Sequence, residues 1–139
     1  MTQHDLEMVI LQQDPQRHLK RDWIRMINKF RQSYFKSQNC GTVTMDMLNQ
    51  TLEHDKGVFS YLVYKAGRCV AIAEVVLGSV GRQPTMAVAT IYVKSQHRGQ
   101  GLAQALYDEI ERMARELDCW FNIHIEQTSL DHDRDKFIA

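Results

Sequence analysis

Neither sign of charge is in excess: seventeen lysines and arginines face seventeen aspartates and glutamates. Without a net cationic field the chain has little to draw it to a polyanion, which disfavours nucleic acid and anionic membrane as partners. No stretch comes near the ~18 consecutive apolar residues of a membrane-spanning helix. The opening Met1-Thr2-Gln3-His4-Asp5 also lacks the basic segment and apolar run of a secretory signal, so a cytoplasmic protein is expected. Cysteine is scarce: Cys40, Cys69 and Cys119 are odd in number, far apart and without a close Cys or His at metal-ligand spacing. That speaks against a disulfide framework and against a metal site, and three reduced thiols are expected. Repeats, low-complexity tracts and linkers are missing too. With 44% apolar and 24% charged residues, the composition lies far from that of a disordered chain, and 139 residues suit one domain spanning 1–139.

What is present reads as alternating elements. Residues 6–11 suit a first strand, closed by Asp14-Pro15, an N-cap followed by a proline at the first helical position, where a helix should start. Leu19, Trp23, Met26, Ile27, Phe30 and Tyr34 then recur at helical spacing, with Arg17, Lys20, Arg21, Arg25, Lys29 and Arg31 on the other face. Solvent exposure is the plain reading of that basic face; a steep salt-dependent affinity for DNA or RNA would be the sign of a nucleic-acid surface instead. Asn39-Cys40-Gly41 breaks the pattern, and Met45, Leu48 and Leu52 behind a Thr44 cap suggest a shorter second helix.

Residues 58–64 and 69–77 are rich in β-branched and aromatic side chains and flank Lys65-Ala66-Gly67-Arg68, which predicts an antiparallel hairpin. Residues 78–84 read as a loop and 86–93 as a third long strand. Leu102, Leu106, Ile110, Met113 and Leu117 mark a helix ending near Asp118, with Asp108/Arg112 and Glu111/Arg115 as i,i+4 pairs. Residues 120–126 alternate again, Phe121, Ile123 and Ile125 against Trp120, Asn122, His124 and Glu126, before a polar tail that ends in Phe137-Ile138-Ala139. The expected fold is α+β in the order β-α-α-β-β-β-α-β with a short tail.

The chemistry is concentrated where strand passes into helix, at Gln96-His97-Arg98-Gly99-Gln100-Gly101-Leu102-Ala103. Glycines at a helix N-terminus let the backbone approach a ligand, and the unpaired first-turn N–H groups with the positive end of the macrodipole suit a phosphate or pyrophosphate. Arg98 adds a cation. A tight turn with glycines chosen for geometry alone is the bland alternative. The Gly-Lys-Ser/Thr of a Walker A loop is absent, and Gln104 stands where a dinucleotide fingerprint would need its third glycine.

Gln96-His97-Arg98-Gly99-Gln100-Gly101 resembles in full the acetyl-CoA signature of the GNAT superfamily of N-acetyltransferases, Gln/Arg-x-x-Gly-x-Gly/Ala. It stands after Ile91-Tyr92-Val93 and before a helix, as in that family. The resemblance implies a mixed, mainly antiparallel central sheet flanked by helices, with acetyl-CoA as acyl donor. It places the pyrophosphate on the N–H groups from Arg98 to Ala103, through Gly99, Gln100, Gly101 and Leu102, and the pantetheine arm on the backbone of Ile91 and Val93 around Tyr92. The thioester would lie where the strands at 86–93 and 120–126 splay apart, its carbonyl meeting a strand N–H.

The resemblance is thinner for catalysis. The family often carries a base glutamate on the strand at 86–93, where this chain has Ala87, Ala89 and Thr90. Glu74 is the leading substitute, read as sharing an apolar face with Val70, Ile72 and Val76, which would desolvate it and raise its pKa. Glu126 and His124 are second choices, and each of the three also has a plain structural reading. The tyrosine that commonly protonates the leaving thiolate has no counterpart beyond Tyr107, and the family's closing hairpin is not seen. Two functions therefore stand: acetyl-CoA-dependent N-acetylation of a primary amine, or a non-catalytic acyl-CoA-binding or protein-interaction module. The outer edge of the strand at 120–126 would be open, predicting either a homodimer through that edge or a cap formed by the tail.

Overall fold

Arg68–Val80 and Gln83–Val93 are the longest described strands of the computed structural model, which describes residues 6–34 and 41–122. They lie within a five-stranded sheet whose spatial order is the chain order: β1 (Leu6–Ile10), β2 (Val58–Lys65), β3 (Arg68–Val80), β4 (Gln83–Val93) and β5 (Trp120–Asn122). Neighbours are antiparallel up to β4, and β5 joins β4 in parallel. A parallel partner needs a crossover, supplied by helix α3 (Leu102–Glu116). Helices α1 (Arg17–Tyr34) and α2 (Met45–His54) connect β1 to β2. The α+β class and element order agree with the sequence reading. No helix among the described residues is long and apolar enough to cross a membrane.

Each sheet face carries its own core. Leu102, Leu106, Tyr107, Ile110 and Ala114 of α3 pack with Tyr61, Val63, Ala73, Val75, Met86 and Val88. On the other face Leu19, Trp23, Met26, Ile27 and Phe30 of α1, with Leu48 of α2, cover Leu62, Tyr64, Ile72 and Tyr92. Fully burying one such side chain is worth ~1.5–3 kcal/mol. The Tyr64 hydroxyl donates to Asp22 of α1 at 2.5 Å, tying helix to sheet. Burial, with Asp22 beside it, pushes the Cys69 thiol up to about 12, so this free cysteine is an inert packing group.

Several expectations need correction. Helix α1 begins at Arg17, because the first intrahelical bond runs from Lys20 N–H to the Gln16 carbonyl; Asp14-Pro15 lies in the turn before it. Residues 78–84 are not a loop: β3 and β4 stay paired out to Val80 and Gln83, with only Gly81-Arg82 between them. Glycine composition suggested a loop, but ladder hydrogen bonds are blind to side chains, and Pro84 is tolerated near the start of its strand. Val70 does not share the face of Glu74, since a register shift opposite Val63/Tyr64 turns it toward α3. Leu117 is exposed and Ala114 takes its place in the core. Arg112 pairs with Glu109 and Glu116 rather than Asp108, which accepts from Gln104; the Glu111–Arg115 pair forms at 2.7 Å. Residues 123–126 and the tail, on which the open edge rests, lie outside the described residues.

The β2–β3 turn holds Ala66 at φ 51° and Gly67 at φ 80°, both in the left-handed region that a two-residue hairpin turn of this hand requires. An L-residue other than Asn or Asp is strained there by ~1–2 kcal/mol. Ala66→Asn is expected to stabilise the protein by about 0.5–1 kcal/mol, read from the urea midpoint. An unchanged or lowered midpoint would show that the turn carries no such strain.

Candidate functional site

The strand-to-helix passage folds as the glycines suggest. Ser95–His97 makes one 3₁₀ turn, Gly99 and Gly101 take φ 79° and 81°, and α3 starts at Leu102 with Gly101 as its left-handed N-cap. No side chain caps the helix. The first intrahelical acceptor of the passage is the Gly101 carbonyl, bonded by Ala105 N–H at 3.0 Å, and among the described residues no backbone bond uses the N–H groups of residues 99–104. Among the described residues, a Cβ on Gly99 or Gly101 would meet nothing within 4 Å. Among the described residues the turn therefore offers a row of unbonded N–H donors at a positive helix end, with room beside its two glycines for a ligand.

Basic groups stand around this row. The Arg98 guanidinium donates from Nε to the Val93 carbonyl at 2.9 Å and lies 5.6 Å from the Tyr92 ring centroid, so its charge is held at the end of β4. Lys65 reaches the turn from β2, its Nζ donating to Gln100 Oε1 at 3.0 Å. Sequence reasoning missed Lys65, because only the sheet brings the β2–β3 turn beside residue 100. Gln96 is exposed, whereas the Leu102 side chain is buried under α3 and the Ala103 side chain packs against the same core, so these two can serve a ligand through backbone alone. Ile91 and Val93 pack toward α3 and Tyr92 toward α1, and of their backbone groups the Val93 carbonyl is already taken by Arg98 Nε.

Glu74 lies on the opposite sheet face, toward α1 and α2. It is paired across the strands with Ser60 on β2 and Thr90 on β4, so three polar side chains form a row through the sheet. Gln12 extends the row: its Nε2 donates to Ser60 Oγ at 3.1 Å, and its Oε1 accepts from Ser60 N–H at 2.7 Å. Above the row is a cavity of 350 Å³ walled by Trp23, Ile27, Phe30 and Leu48, with Glu74, Ser60, Thr90, Thr51 and Arg31 as its polar groups. Burial raises the Glu74 pKa above the ordinary carboxylate range, Asp55 raises it further, and a hydrogen bond from Thr90 opposes both. A half-buried carboxyl in an apolar cavity holds its proton to higher pH than an exposed one and is a stronger proton acceptor once ionised.

The structure thus brings Glu74 together with Thr90, whose hydroxyl gives the sequence no sign of a site residue. The register shift between Glu74 and Val75 explains why: Glu74 pairs with Thr90 and Val75 with Val88, leaving Ala89 as an extra residue in β4. The β5 strand pairs only with Thr85, Met86 and Ala87, so among the described residues β4 from Val88 onward has no partner on that side. Glu126 and His124 lie outside the described residues.

Comparison with known proteins bears on the family and the fold. The chain matches the model of the family described as "Acetyltransferase (GNAT) family" over residues 23–133. An aminoglycoside acetyltransferase from an uncultured soil metagenomic sample, solved with sisomicin, is similar in structure at TM-score 0.75 and 14% identity, over 97% of this chain and 86% of that one. A ribosomal-protein-alanine N-acetyltransferase from Brucella melitensis biovar Abortus 2308 reaches TM-score 0.72 at 18% identity, over 96% and 90%. The glucosamine-6-phosphate N-acetyltransferase of Arabidopsis thaliana reaches 0.68 at 13%, over 96% and 90%. At these identities the likeness is one of fold. No curated protein sequence matches the chain.

Proposed function

The chain belongs to the GNAT acetyltransferase family, and from that premise we propose that it moves an acetyl group from acetyl-CoA to a primary amine by direct attack in a ternary complex. The observation that carries this reading is Glu74, a carboxyl with a raised pKa in a walled cavity, on a strand adjacent to the one that runs into the N–H row. The residues present fit the donor: free N–H groups at residues 99–104 and the open space over Gly99 and Gly101 suit a diphosphate. Bound acetyl-CoA would supply the thioester carbonyl on which the amine acts. Lys65 and Arg98 add positive charge near the turn.

The chain's own work is then proton management. A primary amine is almost fully protonated at neutral pH, with a pKa of about 10.4, and must lose a proton before it can attack. Glu74 takes that proton at a carboxyl oxygen, directly or through one water, while Thr90 holds the carboxyl in place. Trp23, Ile27, Phe30 and Leu48 supply the apolar surface beside it.

Calorimetry with CoA, followed by thiol release from acetyl-CoA over a panel of amines, tests the proposal. Binding together with release above the amine-free blank, rising with pH, is the expected result. Binding without release from any amine would favour the non-catalytic acyl-CoA module, and absence of CoA binding would sink both readings.

A further inference from the structure

We propose that the acceptor is a small apolar amine that also carries one carboxylate, and that Arg31 is the residue that selects it. The inference rests on the reading of the Glu74 cavity as the acceptor site. Its size argues first: 350 Å³ is at the low end of the ~300–1,000 Å³ of small-molecule pockets, which suits one ring or a short chain rather than a multi-ring ligand. Its walls argue next, since Trp23, Ile27, Phe30 and Leu48 offer apolar surface to a hydrocarbon body.

Charge decides the rest. Among the described residues lining the cavity, Glu74 is the one acid and Arg31 the one base. A polyamine or aminoglycoside carries several ammonium groups and would need several carboxylates, and it would meet a guanidinium instead. An amine bearing a carboxylate matches both ends, its nitrogen toward Glu74 and its anion toward Arg31. Arg31 is also incompletely engaged. One Nη donates to the Gly41 carbonyl at 3.3 Å, whereas Nε, hidden from water, has no acceptor among the described residues. A hidden donor without a partner is costly, and a ligand carboxylate, which accepts from Arg in a two-pronged geometry, would satisfy it. Asp46 and Glu53 on α2 are exposed, and Asp55, which bears on Glu74, accepts from Gly57 N–H at 3.0 Å; none of them lines the cavity.

Calorimetry on CoA-loaded protein tests this without needing turnover. The probes are phenylalanine and para-aminomethylbenzoate, each against its carboxamide, with spermidine as the polycation. At least one carboxylate should bind about ten- to a hundredfold more tightly than its amide, the worth of one charge-assisted bond, and spermidine should bind more weakly than both. Arg31→Met should erase that preference, lowering the acid's affinity far more than the amide's, and Arg31→Lys should restore part of it. A merely structural Arg31 would instead weaken acid and amide alike, which overturns the proposal. So would equal binding of each pair, or tighter binding of spermidine. Selective binding without acetyl transfer would sink the enzymatic reading and with it the ligand's role as acceptor, while keeping Arg31 as the residue that selects the cavity's ligand; transfer to neutral amines without selectivity would sink the role of Arg31 and keep the enzymatic reading.

Discussion

Glu74→Gln is expected to lower acetyl transfer by about 10²–10⁴-fold, the usual worth of a positioned base, and at the same time to make the protein more resistant to unfolding at alkaline pH. Both effects have one cause. Burial and Asp55 raise the Glu74 pKa in the folded protein above its unfolded value, so the folded state holds that proton more tightly. The stability this contributes is complete below the unfolded carboxylate pKa of about 4.3 and is lost as pH rises through the folded pKa. Glutamine has the same shape, keeps an oxygen to accept from Thr90 and cannot ionise, so the variant escapes that loss. The gap in melting temperature between variant and parent should therefore be small in acid and widen, in the variant's favour, as pH increases. Rate should show the mirror image: parent activity climbs as Glu74 ionises, and residual variant activity lacks that rise. Parallel pH series of thermal melts and initial rates check both. A variant with parental rate, or a melting difference that does not change with pH, would remove Glu74 from the mechanism.

How far such residues could be read from the chain depends on the range of the interaction that places them. The turn at Gln96–Gly101 was legible because its determinants are local: a glycine at each left-handed position, an apolar strand before and an amphipathic helix after. The helical faces of α1 and α3 were legible for the same reason, since period 3.6 is written along the chain. Pairings across the sheet were not. Ser60, Glu74 and Thr90 meet through two register relations: the Glu74–Thr90 pair lies directly beside the irregularity at Glu74/Val75, the Ser60–Glu74 pair three residues from the one at Val63/Tyr64, and a single extra residue reverses which side chains share a face. Ala89 is such a residue: Met86 and Val88 before it, and Ile91 and Val93 after it, all pack toward α3, which no uninterrupted alternation permits. The Gly78–Val80 arm was misread because glycine and serine there suggested loop, while what holds it is backbone pairing to Gln83–Thr85. Lys65 and Arg31 were invisible as site residues because charge at a strand end or on a basic helix face has no signature until another element is set beside it.

Gly101→Asp is expected to reduce CoA affinity by two orders of magnitude or more, a loss of roughly 3 kcal/mol, while the protein stays folded. The substitution sits at φ 81°, where an L-residue is strained by ~1–2 kcal/mol, although aspartate and asparagine tolerate this region better than most. Space is not the obstacle, because a Cβ at this position meets nothing within 4 Å. What the aspartate adds is a negative charge at the N-cap of α3, beside the N–H groups proposed to hold a diphosphate, and its carboxylate can itself accept from the first-turn donors as an N-cap side chain does. The ligand then meets like charge and occupied donors together. Gly101→Asn separates these effects, because it has the same size, the same backbone strain and no charge. Melting temperatures of the two variants should differ only by what capping contributes, and asparagine should retain measurable CoA binding that rises relative to aspartate as salt is lowered, since the repulsion it lacks is screened by salt. Calorimetry of parent and both variants at two ionic strengths is the measurement. If the aspartate variant binds CoA as the parent does, the N-terminus of α3 is not where the diphosphate sits. If both variants lose binding equally at every salt concentration, the glycine serves backbone approach alone and charge at the helix end plays no part.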